Sequence, residues 1–64
     1  MIKGISESVK RNPSATYFVV EVYPREVIFE GYLDDLERFD YNGYRVSGEV
    51  YIGDGILRIV LIED

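Results

Sequence analysis

Residues 16–23, Thr-Tyr-Phe-Val-Val-Glu-Val-Tyr, form the most concentrated run of β-branched and aromatic side chains in the chain. Such residues favour strands, in which successive side chains point to opposite faces. Phe18, Val20 and Val22 therefore share one face, which we interpret as core. The other face is too aromatic for an ordinary solvated face and too polar for a second core, and it carries Tyr17, Val19, Glu21 and Tyr23.

A second strand follows at residues 26–31, after the short connection Pro24-Arg25. Its alternation places Val27 and Phe29 on one face. A two-residue link between two strand patterns predicts a tight antiparallel hairpin.

A longer hairpin is predicted near the end of the chain, where residues 44–52 and 56–62 flank the turn Gly53-Asp54-Gly55. Gly48 interrupts the first of these strands and predicts a bulge or a sharp bend. The return strand is apolar on both faces, so we expect both faces to be covered.

One short helix is predicted at residues 34–39. Asp34 can cap its N-terminus, and Glu37 follows three residues later, as in a capping box. A helix of one to two turns is not stable alone, so it must pack against a larger element. Its apolar face consists of Leu33, Leu36 and Phe39.

The first eleven residues fit a helix and a strand equally well. Ile2, Ile5 and Val9 are spaced for one helical face, but Gly4 lies among them, and Ile5 and Val9 also fit a strand. The segment ends in a loop at residues 12–14, Asn-Pro-Ser, because the residue before a proline is pushed out of the α region.

The composition indicates one domain, residues 1–64, without covalent or metal staples. The chain has no cysteine and no histidine, which excludes disulfides, thiolate chemistry, imidazole bases and Cys/His zinc sites. Its high share of Glu, Arg, Ile, Val and Tyr is typical of a thermophile. The net charge of −5 opposes attraction to phosphates and anionic membranes. Its apolar runs are too short to span a bilayer and no signal peptide opens the chain, so we expect a cytoplasmic protein.

Two parts of the chain resemble one known family. Residues 4–11 and 16–20 are similar to its first two strands, and Tyr-Arg-Val-Ser-Gly-Glu-Val at 44–50, followed by the glycine turn at 53–55, is similar to its last two. The element order agrees. The family is the OB-fold of the tRNA-anticodon-binding type, found at the start of the exonuclease VII large subunit and of the aspartyl- and lysyl-tRNA synthetases.

The resemblance implies an all-β fold, a small five-stranded Greek-key OB-type barrel with one short helix between strands 3 and 4. It also implies that Tyr17 stacks on a base and that the loops at 10–15 and 53–55 help to form the binding surface. The alternative is an open meander of four strands with a helical N-terminus. The two folds differ in whether residues 2–9 pair as a strand.

The outer face of the second strand is the candidate site. The first hypothesis is a platform on which single-stranded DNA or RNA stacks, with nearby cations along its backbone. The second is contact with a protein partner or a second copy, and the third is packing on the N-terminal segment or the helix. Glu21, Glu26 and Glu30 count against nucleic acid. The candidate residues are Tyr17, Val19, Tyr23 and Ile28, flanked by Lys10, Arg11 and Arg25.

No catalytic, metal or cofactor site is predicted. No nucleophile has a plausible base partner, and Gly53-Asp54-Gly55 is a hairpin tip rather than a phosphate cradle. Capping and solvation account for the carboxylates Asp34, Asp35 and Asp40. Arg58 and Arg45 are interpreted as cross-strand partners of Glu49 and Glu63. We therefore expect a non-enzymatic binding module that contacts single-stranded nucleic acid or protein and no membrane.

Overall fold

The computed structural model describes residues 2–64. Met1, which belongs to the predicted domain and to the ambiguous first segment, lies outside the described residues. The chain forms two helices and four strands in the order α1 (Lys3–Arg11), β1 (Tyr17–Val22), β2 (Glu26–Tyr32), α2 (Leu33–Arg38), β3 (Tyr44–Gly53) and β4 (Ile56–Glu63). Within residues 2–64, no helix is long and apolar enough to cross a membrane.

The four strands form one open mixed sheet in the order β2-β1-β4-β3. Each predicted hairpin is confirmed as an antiparallel pair, and β1 and β4 lie parallel at the centre. The predicted five-stranded OB-type barrel is therefore wrong. Its first strand is a helix in the structure, so the sheet lacks the fifth strand needed to close. The alternative had the right number of strands and a helical N-terminus, but a meander would not place β1 beside β4.

Helix α1 forms where the sequence left two possibilities open. Ile5 is completely buried and Val9 packs against the core, so the helical spacing of the apolar residues is the one used. Lys10 and Arg11 occupy the last turn, where positive charge interacts favourably with the helix dipole. A Cβ on Gly4 would lie 2.8 Å from Val46 Cγ2, so the glycine allows α1 to approach β3 closely.

Helix α2 begins directly after β2, one residue earlier than predicted. Its N-cap residue is Tyr32, and no side chain makes a capping hydrogen bond, so the predicted capping box is wrong. Asp34 lies inside the first turn, where its charge still favours the positive end of the helix dipole. Leu36 is buried against the sheet. Phe39, just beyond the helix, packs between Phe29 and Tyr41, with ring centroids 5.6 and 4.8 Å away.

The core lies between the two helices and one face of the sheet. The predicted core face of β1 is confirmed, because Phe18, Val20 and Val22 are all buried. In the parallel register each stands beside a buried residue of β4: Leu57, Ile59 and Leu61. Burial of one such aliphatic side chain contributes about 1.5–3 kcal/mol. Ile5 and Leu36 supply the helical side of the same cluster.

The opposite face of the sheet is left without a helix. The prediction that both faces of β4 are covered is wrong, because α1 and α2 both pack on the core side of the sheet. The uncovered face is a surface that the fold does not use for packing its helices.

Candidate functional site

The side chains that point away from the helices form one surface, which we call the helix-free face. It is defined by the strand register, because residues paired across neighbouring strands lie on the same side of a sheet. Its residues alternate with the buried positions of β1 and β4. They are Tyr17, Val19 and Glu21 of β1, Val27, Glu30 and Tyr32 of β2, Ile56, Arg58, Val60 and Ile62 of β4, and Arg45, Gly48, Val50 and Gly53 of β3.

The register arranges these residues in four rows across the strands. From the end near the β3–β4 turn, the rows are Tyr32, Tyr17, Ile56 and Gly53; Glu30, Val19, Arg58 and Val50; Val27, Glu21, Val60 and Gly48; and Ile62 with Arg45. The first three rows cross all four strands. Every row that contains a charged side chain therefore also contains an aliphatic one.

Most residues of the helix-free face are apolar; three of these are exposed and the others are half-buried. Tyr32, Val27 and Val50 expose 64%, 51% and 46% of their surface. Tyr17 packs edge-on against Tyr32, with ring centroids 5.3 Å apart and planes at 83°. A contiguous apolar surface of this kind is typical of interaction sites, whereas scattered apolar residues are ordinary on any protein.

The charges of this face are balanced and partly paired. Arg58 Nε lies 3.2 Å from Glu21 Oε1 across the two central strands, and only 15% of the Glu21 side chain is exposed. Arg45 Nε lies 3.5 Å from Asp64 Oδ1 at the rim. Of the twelve acidic and seven basic residues of the chain, the face holds two of each, Glu21 and Glu30 with Arg45 and Arg58.

The predicted partners of the two arginines are wrong. Register shifts in β3 leave Ser47 and Ile52 without partners and place Val50 opposite Arg58. Glu49 stands opposite the buried Ile59, so it lies on the other side of the sheet from Arg58. The shift beside Gly48 confirms the predicted bulge.

The predicted aromatic platform is brought together only in part. Tyr17 and Val19 of β1 both lie on the helix-free face, and both are half-buried. Tyr23 follows β1 in the turn and is 69% exposed. Ile28 is the extra residue of a bulge in β2 and packs against the core instead of standing with Tyr17.

The predicted cations do not flank this face. Lys10 and Arg11 belong to the last turn of α1, on the opposite side of the sheet, and Arg25 is exposed in the β1–β2 turn. The sequence reasoning missed Tyr32, Ile56 and Val60. The apolar second face of β4 was visible in the sequence, but its position beside Tyr17 depends on the parallel pairing of β1 with β4.

On the helix side, a cluster of hydrogen bonds joins α1 to β3, which we call the α1–β3 clamp. Ser8 Oγ donates to Glu49 Oε1 at 2.7 Å and Arg11 Nε donates to the same oxygen at 3.1 Å. Asn12 Nδ2 donates to Glu49 Oε2 at 2.6 Å and to the carbonyl of Ser8 at 2.8 Å. The Arg11 bond, with those from Ser8 and Asn12, outweighs desolvation and lowers the pKa of Glu49 to about 2.

A shallow depression of about 210 Å³ lies beside the clamp and is lined by Arg11, Asn12, Pro13, Ser14 and Tyr51. Arg11 and Asn12 both bond to Glu49. The Tyr51 hydroxyl accepts a bond from the Gly55 N–H at 3.0 Å. The polar side chains of the depression are therefore already hydrogen-bonded within the chain.

Among residues 2–64, no three carboxylates are grouped to hold a metal ion. Tyr41 is buried, which raises the pKa of its hydroxyl, and that oxygen has no hydrogen-bond partner in the described part of the chain. The comparisons with protein-family models, with curated proteins and with solved structures find no match.

Proposed function

We propose that this chain is a non-enzymatic interaction module that binds another protein surface through its helix-free face. The observation that carries the proposal is the set of exposed apolar side chains on a sheet face that no helix covers, while the opposite face carries the core. Removing such surface from water contributes about 25 cal/mol per Å². A partner that covers the face would supply the second packing layer that this side of the sheet does not have.

The electrostatics of the face also favour a protein partner. Arg58 and Glu21 neutralise each other within the chain, so covering them leaves neither charge unpaired. Breaking such a pair during burial would be costly, whereas burying it intact with good geometry is tolerated. The balance of two acids and two arginines gives no positive surface of the kind that nucleic-acid interfaces use.

Site-specific photo-crosslinking tests the proposal. Val50→p-benzoylphenylalanine places the reactive group at an exposed position of the helix-free face, and Glu37→p-benzoylphenylalanine places it on α2 as the control. Both variants are illuminated as purified chain and in cell lysate. We expect covalent protein adducts from position 50 and not from position 37. Equal yields from the two positions, or none from position 50, would contradict the proposal.

Single-stranded nucleic acid remains a second candidate because of the pair formed by Tyr17 and Tyr32. Tyr32 is 64% exposed and offers a ring on which a base can stack, an interaction worth about 1–3 kcal/mol per base. We expect labelled oligothymidine and oligouridine to bind only weakly at low salt and not at moderate salt. Fluorescence anisotropy with Tyr32→Ala, and with Tyr51→Ala as the control away from the face, measures this. Tight binding that Tyr32→Ala abolishes would establish the second candidate instead.

A further inference from the structure

We infer that the partner of the helix-free face is a second copy of this chain, so that two sheets stack face to face with the helices outside. The inference rests on the proposed function, in that the face must bind protein at all. It goes further by naming the occupant and the side chain that fits against it. Stacked sheets of this kind lie about 10 Å apart, with strands within about 30° of each other.

Gly48 is the residue that points most directly to a close neighbour on this face. Its φ is not in the left-handed region, and a Cβ built on it would meet no atom within 4 Å. The bulge beside Gly48 is one reason for a glycine here, but neither its φ nor the space around it among the described residues requires one. A glycine within a strand weakens that strand, and one reason to keep it is the close approach of another chain. It leaves a notch in the third row of the face, opposite Val60.

The same face carries side chains that fit this notch when a second copy is stacked on it by a two-fold axis. If a two-fold axis through the centre of the face runs along the strands, β2 of one copy lies over β3 of the other, and Val27 of the partner faces Gly48. If the axis runs across the strands between the second and third rows, the second row of one copy faces the third row of the other, and Val50 of the partner faces Gly48. Both follow from the rows defined above. In each strand-aligned arrangement, a half-exposed valine thus stands over the notch.

The charge distribution allows two copies of an acidic chain to meet here. Of twelve acidic residues, two lie on the helix-free face, and the remaining ten lie on the helices, the turns, the other side of the sheet or the chain end. Glu21 is paired with Arg58 of its own chain. Self-association through this face therefore keeps most of the net charge of −5 away from the contact.

A stable dimer needs a large share of the surface of so small a chain. A standard interface removes about 800 Å² from each partner. That area is about a fifth of the 4251 Å² surface of this chain. A whole face of the sheet is needed to provide it, and the helix-free face is the one that the helices leave open.

Pairing through the sheet edges is less favourable. The register shift at Ile28 interrupts β2, and those at Ser47 and Ile52 interrupt β3. Bulges break the row of free backbone groups that edge-to-edge pairing needs. Both edges of this sheet are therefore protected, and the face is the surface left for a second copy.

Sedimentation equilibrium over a range of protein concentrations tests the inference. We expect the wild-type chain to reach twice its 7.4 kDa mass. Gly48→Leu places a side chain in the notch, and its Cβ meets no atom of the described residues within 4 Å. Val50→Lys places a charge in the contact. Each should raise the dimer dissociation constant at least tenfold. Leu33→Lys, at an exposed apolar position on α2, is the matched control and should leave the constant unchanged.

Circular dichroism of each variant shows whether the monomer remains folded, so that a loss of dimer is not a loss of structure. A wild-type chain that stays monomeric, or a dimer that neither Gly48→Leu nor Val50→Lys weakens, would overturn the inference. If the chain is monomeric while position 50 crosslinks to another protein, the second copy is excluded and the interaction function stands. If the chain is monomeric and position 50 gives no adduct, both fail.

Discussion

At the scale of single residues, the role of a residue depends on spatial neighbours that the sequence does not reveal. Gly4 was a reason to doubt a helix, yet it lies within α1 because a Cβ there would collide with Val46 of β3. Gly48 is the opposite case, since the space around it is open. The two glycines look alike in the sequence and serve different purposes in the structure.

Tyr41 lowers the stability of the fold in a way that only the structure shows. Its ring packs against Phe39 in the core, while its buried hydroxyl has no partner within the described residues. An unsatisfied buried polar group costs about 1–3 kcal/mol. Tyr41→Phe keeps the ring and removes that group, so we expect the free energy of unfolding to rise by about 1 kcal/mol in urea denaturation.

The matched control for this substitution is Tyr51→Phe. This substitution also removes a tyrosine hydroxyl, but one that accepts a hydrogen bond from the Gly55 N–H. We expect it to lower the free energy of unfolding by up to about 1 kcal/mol. If Tyr41→Phe instead lowers the free energy of unfolding, as Tyr51→Phe should, the buried hydroxyl of Tyr41 is satisfied in solution.

At the scale of elements, the α1–β3 clamp shows how a marginal helix is held in place. Helix α1 has no side-chain cap at its N-terminus and no acidic residue in its first turn. It is nine residues long, which is too short for stability in isolation. The bonds that Ser8, Arg11 and Asn12 make to Glu49 attach its C-terminal end to β3.

The clamp makes stability depend on pH in acid. The folded pKa of Glu49, about 2, lies below its ordinary value of 4.5. A group with a lowered folded pKa stabilises the protein above its unfolded pKa, and this contribution is lost as pH falls from about 4.5 to about 2. We expect the loss to be about 1–2 kcal/mol, less than the full pKa shift implies, because Arg11 is 58% exposed and solvent screens the pair.

Urea denaturation between pH 7 and pH 2 measures this contribution. Glu49→Gln removes the titrating carboxylate, so this variant should be less stable than wild type at pH 7 and should lose less stability on acidification. Glu37→Gln changes an exposed carboxylate on α2 and should keep the wild-type pH dependence. A Glu49→Gln variant with an unchanged pH dependence would show that the clamp does not form in solution.

At the scale of the whole molecule, the fold leaves one face of its sheet without a covering helix. The helices, the buried face and the clamp are all on one side, and the helix-free face carries the balanced charges, the tyrosine pair and the open notch at Gly48. A small domain has a limited core, so covering a further sheet face is a large gain for it. The proposed function and the proposed dimer are both consequences of this asymmetry.

The sequence by itself determined the elements that depend on neighbouring residues. Alternation and glycine turns identified both hairpins, the helix near Leu36 and the core face of β1 at Phe18, Val20 and Val22. These features need only local periodicity and turn chemistry, which are present in the chain itself. The existence of an unusually apolar outer face around Tyr17 was visible for the same reason.

Only the tertiary structure decided which of these elements meet. The spacing of Ile5 and Val9 satisfies a helix and a strand alike, and packing against the sheet selected the helix. The parallel pairing of β1 with β4 joins residues about forty positions apart, so no local pattern could place Arg58 beside Glu21 or Ile56 beside Tyr17. The candidate face depends on two tertiary features. The long-range pairing brings its residues together, and both helices pack on the other side of the sheet.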